Sequence, residues 1–272
     1  MHKLWTFLRR SAAVASTCLV ASTGAAMSLD EVIDAKVLTG WRADNGDHIA
    51  ALHVTLAPGW KTYWRAPGDA GIPTQFDFSG SQNMTGHSTH WPVPKVFWQN
   101  GMRSIGYEGQ VVLPLRIATV DPAAPVQIDA KVSMGVCEEI CIPAHLQIRA
   151  TLPATDNTDP MIRSALADRP MTETEASVGP VVCHIEPLHD GLRLHVQVTM
   201  PKVGPSEVAA IETADKSVWV AEPKVERDGA TLVAVTELVP PQSAPFALDR
   251  SGIRVTVFGR NQAVDIRGCT AN

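Results

Sequence analysis

Apolar and polar residues alternate along most of the chain. Leu52, Val54 and Leu56 alternate with His53 and Thr55; Leu192, Leu194, Val196, Val198 and Met200 alternate with Arg193, His195, Gln197 and Thr199; Ile253, Val255 and Val257 repeat the pattern. A period of two sends successive side chains to opposite faces of an extended strand, so these runs predict half-buried β-strands. Asn45-Gly46, Asp190-Gly191 and Asp228-Gly229 stand between such runs and mark hairpin turns, because the second residue of each pair tolerates positive φ. Between about Pro153 and Pro180 the alternation stops and the composition becomes polar and rich in Thr, Asp and Pro. Within that stretch Asp159-Pro160 is placed to cap a short helix ending near Asp168, ahead of Arg169-Pro170. The pattern predicts an all-β fold: two antiparallel β-sandwich domains, residues 28–153 and 178–272, joined by a linker, residues 154–177, that carries the short helix.

The longest alternating run leads into the chemistry. Val126, Ile128, Ala130, Val132, Met134 and Val136 share one face, Gln127, Asp129, Lys131, Ser133 and Gly135 share the other, and Cys137 continues the polar, solvent-facing set. Beyond the cysteines Leu146, Ile148, Ala150 and Leu152 form an apolar set; counting back puts Cys141 and His145 on its polar side, unless Pro143 bulges the strand. Four extended residues span about 13 Å, against the roughly 4.4–6.8 Å between Cα atoms that a disulfide needs, so Glu138-Glu139-Ile140 must turn. A tight hairpin brings Cys137 opposite Cys141; a helical turn would do the same, but Pro143 and the flanking strands oppose it. So small a ring closes little chain and is a weak staple, whereas a dithiol at a hairpin tip suits thiol–disulfide exchange. A purely structural bridge is the competing reading. A metal site is a third, because Cys137, Cys141 and His145 form a Cys-x3-Cys-x3-His series suited to copper(I) or zinc, though a fourth ligand is missing. Glu138 and Glu139 disfavour a thiolate here and His145 favours one.

Composition and the first residues set the compartment. The 272 residues leave room for two domains, and a net charge of −5 with scattered basic residues argues against nucleic acid as a partner. There is no Ser/His/Asp elbow, HExxH or glycine-rich phosphate loop, and no cofactor is expected. Residues 1–26 combine Lys3, Arg9 and Arg10 with an apolar run from Ser11 to Val20 and the small residues of Thr23-Gly-Ala-Ala26, which reads as a cleaved signal peptide and export to the periplasm. Cys18 lies inside it. No later run approaches the roughly 20 apolar residues of a membrane crossing, so the chain is not expected to span one. Four cysteines then remain, Cys137, Cys141, Cys183 and Cys269. Sequence order favours 137 with 141 and 183 with 269 among the possible pairings, the second closing a long loop as a structural disulfide. Cys183 shares parity with inward Val181 and Ile185, Cys269 with polar Asp265 and Arg267.

Four motifs carry a family resemblance. Ala57-Pro-Gly-Trp-Lys-Thr-Tyr-Trp-Arg-Ala-Pro-Gly-Asp-Ala-Gly-Ile-Pro-Thr74, Trp91-Pro-Val-Pro94, Gly106-Tyr-Glu-Gly109 and Val136-Cys-Glu-Glu-Ile-Cys-Ile-Pro143 occur in this order. Residues 30–150 thereby resemble the N-terminal periplasmic domain of the DsbD/ScsB family of protein-disulfide reductases, and the Cys-x3-Cys-x-Pro spacing is similar to its ScsB-like branch. The resemblance implies an immunoglobulin-like domain that takes electrons from a membrane-embedded partner and passes them to oxidised periplasmic proteins through Cys137 and Cys141. By that analogy Cys141 forms the mixed disulfide and Cys137 resolves it. The family's membrane segment and thioredoxin-like domain are not found in the sequence, so the expected donor is a separate CcdA/DsbD-like membrane protein. The expected acceptors are thioredoxin-like or disulfide-isomerase-like periplasmic proteins. The alternative is a copper-binding or chaperone-like module using the same cysteines. Trp60, Tyr63 and Trp64 are expected either to pack in the core or to join a cap, presented by the turn from Pro67 to Gly71, that shields the sulfurs. Tyr63, Trp64 and His145 are the shielding candidates, while Trp91 and Trp98 are expected to be buried.

Overall fold

The computed structural model describes residues 28–69, 71–99, 101–243 and 246–271; the expected signal peptide, with Cys18, lies outside the described residues. Among the described residues no helix is long and apolar enough to cross a membrane. The first part of the chain runs α1 (Leu29–Val32), β1 (Ile33–Arg42), β2 (His48–Leu56), β3 (Lys61–Tyr63), β4 (Gln75–Asp77), β5 (Met84–Thr89), β6 (Lys95–Gln99), β7 (Met102–Glu108), β8 (Gln110–Thr119), β9 (Val126–Cys137) and β10 (Cys141–Leu152). These strands make two antiparallel sheets, β1-β2-β8-β5 and β10-β9-β3-β7-β6, with β4 added beside β9. The apolar members of the alternating runs meet between them: Leu52, Val54 and Leu113 from one sheet share a buried cluster with Ile105, Val132 and Met134 from the other.

The polar stretch after β10 is folded. The helix α2 (Pro160–Ala167) begins at Asp159, whose Oδ1 accepts from the amides of Met161 and Ile162 at 2.7 and 3.2 Å, with Pro160 in the first turn. Ile162 packs on Ile49 and Ala51, so β2 is buried on both faces. The next strand, β11 (Met171–Thr172), pairs in parallel with a strand of the second sandwich. This stretch therefore docks on both halves of the molecule.

The remainder consists of β12 (Val181–Pro187), β13 (Leu192–Thr199), β14 (Val208–Glu212), β15 (Trp219–Val220), β16 (Lys224–Asp228), β17 (Thr231–Val239), β18 (Arg254–Phe258), β19 (Ala263–Arg267) and β20 (Thr270–Ala271). They form the sheets β11-β19-β18-β14 and β15-β17-β13-β12-β20, with β16 beside β17. Gly229 takes φ +56 in the turn between β16 and β17, a conformation the Asp-Gly pair supplies. The fold is all-β, but not wholly antiparallel: β11 with β19 and β12 with β20 pair in parallel at sheet edges. Cys183 and Cys269 are joined as a disulfide with Cα atoms 5.7 Å apart, and Cys183 sits in the second core.

The sheet containing β14, β18 and β19 is covered on both sides. Ile211, Val255, Val257 and Val264 face the second core, while Ala210, Phe258 and Ala263 join the buried cluster of the first sandwich. Glu212, Thr256 and Asp265 lie on that same outward face by strand parity and receive Arg65 from the first sandwich.

Candidate functional site: a disulfide beneath a phenol

The β9–β10 ladder runs without a break from Val126 opposite Leu152 to Cys137 opposite Cys141, and Pro143 faces Gly135 without a bulge. Glu138, Glu139 and Ile140 make the turn, closed by the Glu138 amide donating to the Ile140 carbonyl at 3.1 Å. Cys137 and Cys141 are bonded as a disulfide, their Cα atoms 4.1 Å apart across the last rung. The hairpin geometry brings the sulfurs together with no contribution from distant structure.

Distant structure decides their exposure. Parity places Cys137 on the face of Ser133 and Gly135, yet Cys137 is only 1% exposed, which corrects its assignment to solvent. Cys141 is exposed. The cover comes from β3, which lies beside β9 with Lys61 opposite Cys137. Two residues along, on the same face, the Tyr63 hydroxyl donates to Cys137 Sγ at 2.8 Å and lies 3.3 Å from Cys141 Sγ. Tyr63 is itself buried, and burial raises its pKa above that of an ordinary phenol, so it stays a neutral donor at physiological pH. Gly135 makes the approach possible: a Cβ there would lie 2.8 Å from Cβ of Ile72 and 2.9 Å from the Tyr63 ring.

Further contacts fix the hairpin tip. Lys61 Nζ donates to Gln99 Oε1 at 2.8 Å, Gln99 Nε2 donates to the Glu138 carbonyl at 3.2 Å, and Thr62 Oγ1 donates to the Gly135 carbonyl at 2.9 Å. Sequence reasoning named none of Lys61, Thr62, Ile72 and Gln99 for this site. The signal it passed over was Gly135, because a glycine inside a strand marks a close approach by another part of the chain.

The other shielding candidates lie elsewhere. Trp64 is fully buried and packs edge-to-face on Phe258, with ring centroids 5.2 Å apart, so it belongs to the core and not to the cap. Trp60 is also buried in the core. His145 is exposed, four residues down the strand from Cys141, with Nδ1 3.0 Å from Ser133 Oγ. In extended chain that separation is about 13 Å, which breaks up the Cys-x3-Cys-x3-His series as a ligand set. Among the described residues no group of three or more His, Cys, Asp or Glu side chains is placed to hold a metal ion. Trp91 is half-buried against the first core, whereas Trp98, expected to be buried, is 62% exposed at the tip of the β6–β7 hairpin.

Residues 31–153 match the family model described as "Thiol:disulfide interchange protein DsbD, N-terminal". Among solved structures, the N-terminal periplasmic domain of ScsB from Proteus mirabilis is similar in fold, with a TM-score of 0.65 at 20% identity, over 91% of this chain and 98% of that one. No curated protein matches the chain.

Proposed function

The first sandwich belongs to the DsbD N-terminal family, and from that premise we propose that the chain relays electron pairs between periplasmic and membrane thiol proteins through Cys137 and Cys141. One observation carries the reading: of the two bonded cysteines, Cys141 is exposed while Cys137 is buried, with the Tyr63 hydroxyl 2.8 Å from Cys137 Sγ and 3.3 Å from Cys141 Sγ. Exchange needs one approachable sulfur and a leaving thiolate that is stabilised as it forms.

In the reductive half, a donor thiolate attacks Cys141 Sγ; the S–S bond breaks and its electron pair leaves on Cys137 Sγ. The Tyr63 phenol donates to that developing thiolate inside a low-dielectric pocket, where such a bond is strongest. The donor's second thiol, deprotonated, then attacks its own sulfur in the mixed disulfide and expels Cys141 as a thiolate. The donor is oxidised and the pair has gained two electrons and two protons. In the second half Cys141 attacks the disulfide of an oxidised protein, and Cys137 attacks Cys141 Sγ, restoring the bond and releasing the acceptor as a dithiol. The donor fits a CcdA/DsbD-like membrane reductase and the acceptors fit thioredoxin-like or isomerase-like proteins of the periplasm. That compartment agrees with the basic, then apolar residues 1–26 read as an export signal.

The test is to trap the intermediate. In a Cys137→Ala variant Cys141 has no resolving thiol, so periplasmic extracts are expected to yield adducts on Cys141 that dithiothreitol releases. Cys141→Ala, keeping only the shielded sulfur, is expected to trap far fewer. Equal trapping by both variants, or none by either, would overturn the reading.

A further inference from the structure

We propose that the second sandwich is a positioning element for the Tyr63 cap, acting through a buried latch made by Arg65 with Glu212, Thr256 and Asp265. The proposal rests on the exchange reading above and assigns the second sandwich a part in it.

Tyr63, Trp64 and Arg65 are consecutive and each is committed to a different neighbour. Tyr63 meets the sulfurs, and Trp64 goes into the first core and onto Phe258 of the second sandwich. Arg65 reaches the second sandwich directly: its Nε donates to Glu212 Oε2 at 3.0 Å, and one terminal nitrogen donates to Thr256 Oγ1 at 3.1 Å and Asp265 Oδ1 at 3.4 Å. The guanidinium carbon also sits 3.7 Å from the centroid of the Trp64 ring. On the other side the backbone is tied to β7, with Trp64 N–H donating to the Ile105 carbonyl at 3.0 Å and Ile105 N–H to the Pro67 carbonyl at 2.9 Å. Two residues beyond Ile105 toward the hairpin tip, buried Arg103 makes a second crossing, with Nε 3.5 Å from Glu222 Oε1.

Burial decides what the latch does. The Arg65, Glu212 and Asp265 side chains are 11%, 10% and 16% exposed. Charges taken this far out of water contribute little net stability, because desolvation offsets attraction, but they tolerate only one arrangement. Such a network fixes position more than it stabilises. The residue it holds is two positions from a hydroxyl that must sit within hydrogen-bond distance of a sulfur, where a shift of about 1 Å removes the bond.

The experiment uses the full chain and follows reduction of the Cys137–Cys141 bond by dithiothreitol. Tyr63→Phe keeps the ring and removes the donor, and is expected to slow reduction by about tenfold, the kinetic equivalent of one lost hydrogen bond. Arg65→Ala and Glu212→Gln are expected to slow it in the wild-type background and to have no further effect in the Tyr63→Phe background, since both act through the same hydroxyl. Melting temperatures are recorded alongside, because a merely structural latch would move those without this dependence on Tyr63. If Arg65→Ala does not fold, Glu212→Gln and Thr256→Val carry the comparison. Latch variants that react within about twofold of wild type, or that slow reduction equally in both backgrounds, would overturn the proposal. Wild-type protein that dithiothreitol does not reduce would instead overturn the exchange reading on which it stands.

Discussion

A phenol 2% exposed and 2.8 Å from one sulfur of a disulfide acts on the reduced state more than on the oxidised one, because a thiolate accepts a hydrogen bond far better than a bonded sulfur does. Removing the hydroxyl with Tyr63→Phe should therefore lower the reduction potential of the pair. A charge-assisted bond contributes about 1.5 kcal/mol or more, which for a two-electron couple is on the order of 30 mV. Equilibration against the glutathione couple measures this, and an unchanged potential would remove Tyr63 from the chemistry. Ionisation of Tyr63 does not complicate the measurement near neutrality, since burial moves its pKa upward. The same pair of residues marks how far single positions could be read. Strand parity assigned Cys137 to its correct face, and the hairpin register followed from spacing, because both depend on neighbours in sequence. Parity says nothing about what lies over a face, and here the cover arrives from Tyr63, 74 positions upstream.

Among the elements, β9 carries the steric constraint that bears on the cap. Gly135→Ala would place a Cβ 2.8 Å from that of Ile72 and 2.9 Å from the Tyr63 ring. Replacing a strand glycine gains about 0.5–1 kcal/mol of backbone entropy, whereas overpacking costs about 1–3 kcal/mol, so a net loss of stability is expected. Exposed Ile72 is free to yield outward; Tyr63 is enclosed and yields only by leaving the sulfurs. Denaturant unfolding and the dithiothreitol rate should both fall, and a stabilised variant with wild-type kinetics would show that the cap does not press on this strand. Locally encoded elements were the legible ones: α2 begins at its Asp159 cap, and the β16–β17 hairpin turns at Gly229. The outer face of β18 was not. Arg254 and Thr256 alternate with apolar residues as on a solvated strand, yet Thr256 is fully buried where Arg65 of the other sandwich meets it, and Arg254 is mostly buried in its ion pair with Asp265 of the neighbouring strand. A polar alternation looks the same in sequence whether water or a buried ion-pair network receives it.

At the scale of the molecule, the two sandwiches are joined by a contact that depends on ionisation. Burial raises the pKa of Asp265, but hydrogen bonds and charge from Arg254, with Arg65 and Arg267 behind it, outweigh burial and hold it below the usual carboxylate range. A carboxylate whose pKa is depressed on folding adds stability at pH values above its unfolded pKa and loses that contribution as pH falls through its folded one. The junction is therefore expected to weaken in acid, below the ordinary carboxylate value of 3.8. Comparison with Asp265→Asn isolates the effect, because the amide keeps the shape and cannot titrate. At pH 6 the variant should melt below wild type, since Arg254 and Arg65 lose a buried counter-charge. As pH is lowered towards 3 the two melting curves should converge, wild type losing what the variant already lacks. A gap in melting temperature that stays constant over that range would mean that Asp265 titrates alike in the folded and unfolded chain, so that the buried arginines do not depress its pKa on folding.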